Sequence, residues 1–281
     1  MEGMPGVIIV PFDFTENSDI AVIHAVQIAK IVNSQVLLIY FYDAGGIFTS
    51  KSKIADKEKE INAKFDETIN KIKAKYSFSS ISYGFKNGKP KSVLKSLMDE
   101  KNITLSVMGT DYKSSTVEIN PVEFVSLVKE INTPVIFTKK PPINEYYREL
   151  VVPVEYDKKY KEELKWIIFL AKSYKCNVNL IRENPENKYI KKQIENNVYF
   201  TKKLLDANKI IYGLKMANTE ICFKNAIFNF AQSIDADLII VMSHKFKDYA
   251  CDKNNCLDMP ERTPVMVINP RADLTNYQGF Y

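Results

Sequence analysis

The chain alternates short apolar runs with longer amphipathic stretches. "GVIIVPF" (6–12) is a continuous, β-branched run of the kind that forms a strand covered on both faces. "TENSD" (15–19) supplies capping side chains, and Ile20, Ile23, Ile28 and Val32 then recur at helical spacing. "SQVLLIYFY" (34–42) predicts a second strand. Over 51–75, Ile54, Ile61, Phe65, Ile69 and Ile72 fall on one stripe among charged residues, which predicts an amphipathic helix laid on a sheet, its charges being the wet face. A strand and turn ("ISYGFKNG", 81–88), a helix (90–102) and a strand ("ITLSVMG", 103–109) follow. The series closes with a helix ("NPVEFVSLVKEI", 120–131), capped by Asn120 with Pro121 at its first position, and a strand ("TPVIFTK", 133–139).

The same order then starts again. "VIIVPFDF" at 7–14 returns as "ELVVPVEY" at 149–156, "LSVMGTDYK" at 105–113 as "IIVMSHKFK" at 239–247, and "NTPVIFTKK" at 132–140 as "RTPVMVINP" at 262–270. Three matches in one order, drifting only by loop length, indicate two copies of one domain. The segment "KKPPINEYYREL" (139–150), stiffened by Pro141 and Pro142, marks the junction near 141–147 and gives domains at 1–141 and 147–281. Strands alternating with helices predict an α/β fold: two tandem, doubly wound, parallel five-stranded sheets flanked by helices. Ligands in such sheets sit beyond the carboxyl ends of the strands, so the segments after the first and fourth strands of each copy are the places to look.

Composition narrows the function classes. The 281 residues carry a net charge of +5, with lysines spread among acidic residues, which does not call for a nucleic-acid partner. No apolar run reaches membrane-span length and no signal-like leader precedes residue 7, so the expected setting is cytoplasmic with no membrane partner. Four cysteines, unevenly placed, do not form a disulfide framework. Cys176 and Cys222 lie in apolar periodic segments and are expected in the core, and His24, beside Ile23 on the first helix, is expected to be packed rather than catalytic.

"VIIVPFDFTENSDIAVIHAVQIAK…VLLIY", the "VMGT" strand end and the "TPV" last strand resemble the universal stress protein family, as two tandem domains of that Rossmann-like, adenine nucleotide alpha hydrolase-like fold. The resemblance spans nearly the whole chain and is fainter in copy two. It implies that Asp13 lies by an adenosine, that main-chain groups around Leu38 and Ile39 hold the adenine, and that a glycine-rich stretch after Gly109 wraps phosphates. Pro11, Asp13, Met108, Gly109 and Thr110 match the family pattern, but Tyr112 stands where its second glycine falls, and Pro121-Val122 where its glycine-serine pair falls. A phosphate cradle needs main-chain N–H groups turned inward by residues free to take positive φ; proline has no N–H to offer. In copy two Glu155 replaces Asp13, Ser243 replaces Gly109 and His244 replaces Thr110, and 21 residues separate Met242 from Pro264 against 25 between Met108 and Pro134. Copy two is therefore expected not to bind ATP in the family's manner, while copy one keeps the elements of an ATP or AMP site without the triphosphate grip.

One further constellation stands on the loop that replaces copy two's nucleotide loop. His244, Cys251 and Cys256 offer imidazole and thiolates that suit zinc, at a spacing looser than the usual Cys-x2-Cys, the alternative being an ordinary loop. No Ser-His-Asp set, lysine nucleophile motif or P-loop occurs, so no catalytic residue is assigned. Three functions remain open: a regulatory or binding protein of the stress response without turnover, an adenine-nucleotide binder with slow hydrolysis, and a metal-sensing module. The resemblance implies an intramolecular pseudo-dimer through the last strands, a homodimer of chains, and a regulatory protein partner.

Overall fold

A computed structural model describes residues 6–42, 51–100, 102–114, 116–130, 133–157, 160–250 and 258–269. Copy one runs β1 (Val7–Pro11), α1 (Glu16–Val32), β2 (Gln35–Tyr42), α2 (Lys51–Tyr76), β3 (Ile81–Asn87), α3 (Pro90–Glu100) and β4 (Ile103–Met108). It then adds a hairpin of β5 (Tyr112–Lys113) and β6 (Glu118–Ile119), followed by α4 (Pro121–Glu130) and β7 (Val135–Phe137). Copy two runs β8 (Glu149–Val154), α5 (Tyr160–Tyr174), β9 (Asn177–Arg182), α6 (Lys188–Ala207), β10 (Tyr212–Met216), α7 (Phe223–Ser233), β11 (Leu238–Met242), α8 (Phe246–Ala250) and β12 (Val265–Ile268).

Each copy is a parallel five-stranded sheet, in the order β3-β2-β1-β4-β7 and β10-β9-β8-β11-β12. The two sheets are not separate. β7 and β12 pair antiparallel, Val135 with Val267, Ile136 with Met266 and Phe137 with Val265, so that ten strands form one sheet. The reason lies in the residues: both last strands are fully buried β-branched, Phe and Met runs whose edges need a partner. One apolar layer on the sheet draws Ala25 of α1, Phe65 of α2, Leu164 of α5 and Ile194 of α6 into a single core, and the other draws Leu94, Phe124 and Ile227 from α3, α4 and α7.

α1 starts where the sequence says it should. Thr15 caps it and exchanges hydrogen bonds with Ser18, while Asn33 ends it in the left-handed region at φ 50°. In α2, Ile61, Phe65, Ile69 and Ile72 are all buried, as their spacing requires. The segment between the copies is fastened rather than loose. His24 donates through Nε2 to the Lys140 carbonyl at 2.9 Å, and Gln27 donates to the Asn144 carbonyl at 2.8 Å. Asn144 in turn donates to Asp237 at 2.9 Å, whose other oxygen takes the N–H groups of Arg148 and Glu149. Cys176 is buried as expected, but Cys222 is exposed, because it precedes α7 at the cap position instead of lying on its inner face.

Candidate functional site

Copy one's candidate residues gather at the carboxyl ends of β1, β2 and β4. Leu38 and Ile39 lie inside the ladder, between Val10-Pro11 on one side and Tyr83-Gly84 on the other, and the Ile39 carbonyl takes the N–H of Phe12 at 2.9 Å. Their main-chain groups are therefore spent within the sheet. β1 stops opposite Ile39 while β2 runs on to Tyr42. The residue whose N–H and C=O face the vacated side is Phe41; the Tyr42 carbonyl faces the other way and takes the Gly88 N–H at 2.9 Å.

That edge of Phe41 is occupied by the chain's own Tyr112. Its hydroxyl accepts from Phe41 N–H at 2.7 Å and donates to Phe41 C=O at 2.9 Å, so one oxygen satisfies both groups. The Tyr112 ring is 1% exposed and meets the Phe41 ring edge-on, with the ring centroids 5.4 Å apart. Burial raises the Tyr112 hydroxyl well above its ordinary pKa, which keeps it a neutral donor.

The hairpin behind Tyr112 closes over Asp13. One Asp13 oxygen takes the Lys113 N–H at 2.8 Å; the other takes the Thr15 hydroxyl at 2.6 Å and the Thr15 N–H at 3.2 Å. Immediately beyond it Phe14 sits at φ 64°, an uncommon conformation for an aromatic residue, and packs on Phe12, Tyr40 and Phe65. Ser114 N–H donates to the Val117 carbonyl at 2.8 Å, and Lys113 and Glu118 pair on the exposed face.

Gly109 and Thr110 serve α1. A Cβ on Gly109 would lie 2.8 Å from the Asn17 carbonyl oxygen and 2.9 Å from its Cβ, so glycine is needed there for close approach of the loop to the first turn of α1. Asn17 then donates to Thr110 Oγ1 at 2.7 Å and to Asp111 at 3.0 Å. The start of α4 is closed as well. Asn120 Oδ1 accepts from Glu123 N–H at 2.9 Å and Glu123 accepts from Asn120 N–H at 3.1 Å, a reciprocal cap on the groups an anion would use. Pro11 and Met108 are buried at the two strand ends and shape the floor.

Copy two fills the matching place with charge. Register places Pro153 opposite Ile181 as Pro11 is opposite Ile39, so Glu183 takes Phe41's position. Glu155 holds Lys245 at 3.1 Å, and Asn197 donates to the Glu155 carbonyl. Burial and the nearby Glu155 carboxylate raise the pKa of Glu183, opposed by Lys245. Burial disfavours the Lys245 charge, but the Glu155, Asp157 and Asp248 carboxylates outweigh it and raise its pKa. Phe246, the counterpart of Tyr112, has no hydroxyl and instead stacks on Phe137 at 5.1 Å. His244 Nε2 lies 2.5 Å from an Asp157 carboxylate oxygen, while Cys251 and Cys256 lie outside the described residues. Among the described residues, no group of three or more His, Cys, Asp or Glu side chains is placed to hold a metal ion.

Sequence reasoning singled out Tyr112 as a lost glycine and missed Phe41 altogether. The signal was available: β1 ends at a proline while the apolar run of β2 continues three residues beyond its partner, and strand alternation selects the middle one.

No family model matches the chain, and no curated protein matches it. Solved structures do. A universal stress protein from Archaeoglobus fulgidus DSM 4304 superposes with a TM-score of 0.68 at 14% identity, over 95% of this chain and 100% of that one. A functionally unknown protein from Pseudomonas aeruginosa PAO1 superposes with a TM-score of 0.54 at 13% identity, over 95% and 93%. The chain thus shares the fold of a universal stress protein, as the sequence resemblance implied. No helix among the described residues is long and apolar enough to cross a membrane.

Proposed function

We propose that this protein is a regulatory binding protein of the stress response, acting in the cytoplasm without turnover, which does not take ATP in the way the family resemblance implies. The observation that carries this reading is the double hydrogen bond of the Tyr112 hydroxyl on Phe41, where a base would meet the strand. Around it, the Asp13 carboxylate, the start of α4 and the Asn17–Thr110 contact are each engaged by protein groups. A triphosphate would have to break several of these at once, and the loop has no run of glycines to rebuild as a cradle. Copy two offers an ion-paired cluster in the same place and no free carboxylate at Glu155.

On this reading the working surfaces are the solvent faces of the helices that cover the joined sheet rather than a nucleotide cleft. The last strands, which the resemblance assigns to association, are already paired with each other inside the chain. A homodimer would therefore use another surface, and a regulatory protein partner would dock without nucleotide. Mass spectrometry of small molecules released from freshly purified protein tests the reading. No stoichiometric adenine nucleotide is expected; one ATP per chain would overturn it.

A further inference from the structure

We propose that the outer edge of β10 is the surface through which two copies of this chain pair, β10 against β10, about a two-fold axis at Leu214. The inference takes up the homodimer considered above and rests on the finding that β7 and β12 are already spent within the chain. It holds whether or not nucleotide binds.

β10 is one of the two outermost strands of the ten-stranded sheet, with β9 as its strand neighbour among the described residues. The Ile211 carbonyl accepts from Val178 N–H, and Ala217 N–H donates to the Arg182 carbonyl, both at 2.9 Å. Strand alternation then turns the main chain of Gly213 and Lys215 toward β9 as well, and that of Tyr212, Leu214 and Met216 outward. Three N–H and three C=O groups thus stand along one free edge. Proteins keep strangers off such edges with a charge, a proline or a bulge. β10 carries no proline, pairs with β9 without a bulge, and holds its one charge, Lys215, over the Phe230 ring at 5.0 Å. At the opposite edge, Tyr83 of β3 lies flat on Phe65 of α2, with ring centroids 4.5 Å apart. On β10, Leu214 and Met216 are instead 44% and 51% exposed.

What fits this edge is the edge itself. In an antiparallel pair centred on Leu214, Tyr212 stands opposite Met216 of the second copy and Leu214 opposite its own copy. These are hydrogen-bonded pairs, and they satisfy every outward group of both chains. The same register sets Lys215 opposite Gly213, so the two lysines do not meet. α6 adds charge complementarity, because Glu195, Tyr199, Lys202 and Asp206 form one helical stripe beside the strand. Glu195 lies 3.8 Å from Arg182, which in turn donates to Met216 Sδ at 3.3 Å. Lys202 lies over the Tyr212 ring at 5.9 Å, and Asp206 accepts from the Tyr212 hydroxyl at 3.4 Å. Since the pair is antiparallel, the Glu195 end of one stripe meets the Lys202 end of the other. Tyr199, 71% exposed between them, meets its own copy across the axis. An unrelated extended peptide would match the main chain but not this pattern of side chains.

Sedimentation equilibrium and amide exchange on the full chain test the proposal. Wild type is expected to be dimeric at micromolar concentration. Its Tyr212, Leu214 and Met216 amides are expected to be protected, and to exchange at least tenfold faster once dilution has produced monomer. Leu214→Lys and Leu214→Glu each set like charges face to face on the axis, and each alone is expected to weaken the dimer at least tenfold. Mixed, they set Lys against Glu and are expected to recover a dimer with one chain of each kind. A monomeric wild type overturns the proposal, as does a dimer that survives both single substitutions, or a mixture that does not recover. Should either variant not fold, the wild-type amides decide. In a dimer joined elsewhere those three amides exchange as free groups, and under a segment of the same chain they stay protected at every dilution; either result overturns the proposal.

Discussion

Asp13 and Lys113 are a hundred residues apart in the chain, and the Asp13 carboxylate accepts the Lys113 main-chain N–H at 2.8 Å. The same carboxylate also caps the turn before α1 through Thr15. One side chain thus ties the β5–β6 hairpin to the turn before α1. Replacing Asp13 by Ala removes acceptors from three donors that water can partly reach, and is expected to cost about 1–2 kcal/mol of stability. Urea unfolding checks this, and an unchanged midpoint would remove Asp13 from that role.

Tyr112→Phe isolates the hydroxyl. It leaves the buried ring in place and strips partners from the Phe41 N–H and C=O, so the expected loss is about 1–3 kcal/mol. Equilibrium denaturation measures it. A loss below the usual scatter of surface substitutions would mean that water reaches Phe41 and that the hydroxyl does not seal the edge.

Gly109→Ala tests close approach. The added methyl would stand 2.8 Å from a main-chain oxygen of α1, which cannot swing aside as a flexible side chain would. Overpacking of this kind costs about 1–3 kcal/mol. The methyl is also expected to weaken the Asn17–Thr110 contact and loosen the hairpin, seen as faster amide exchange at Lys113.

His24 gives the fold a pH dependence. Burial lowers its pKa from 6.5 to about 4, with the Lys140 carbonyl opposing the shift. Because the folded-state value is depressed, the unfolded chain takes up the proton first as pH falls below 6.5. Stability is full above that pH and is lost as pH drops toward about 4, by about 3 kcal/mol at roughly 1.4 kcal/mol per pH unit. His24→Gln keeps a donor for Lys140 and is expected to flatten the stability profile between pH 6.5 and 4. An equally steep profile in that variant would assign the effect to other groups.

The joined sheet predicts cooperative unfolding of the two halves. Trp166, the single tryptophan, is buried in α5 of copy two, so its fluorescence reports that half while far-ultraviolet circular dichroism reports both. The β7–β12 pairing and the common core predict coincident midpoints in urea. Two separated transitions would show that the halves are only loosely joined.

The contrast between what the residues revealed and what they hid has a physical basis. Periodicity and duplication are local or self-repeating, so the strands, the stripe of Ile61, Phe65, Ile69 and Ile72, and the order of elements could all be read directly. Merging of the two sheets into one depends on which edges meet. Tyr112 is the sharper case. As a departure from a glycine pattern it signals loss, yet its role is set by Phe41, 71 residues earlier, and by the direction of one side chain. Leu38 and Ile39 are paired within the ladder, and the open main-chain edge falls at Phe41 because strand alternation combines with the end of β1 at Pro11, a tertiary relation that the run of apolar residues does not display. Cys222 was misplaced because an apolar neighbourhood does not say which side of a helix start a residue occupies.

The most direct test of the central claim is a calorimetric titration of magnesium ATP into the wild-type chain at neutral pH. With Tyr112 on Phe41 and Lys113 on Asp13, the account predicts no saturable heat up to millimolar nucleotide. Stoichiometric, magnesium-dependent binding in the micromolar range would contradict it.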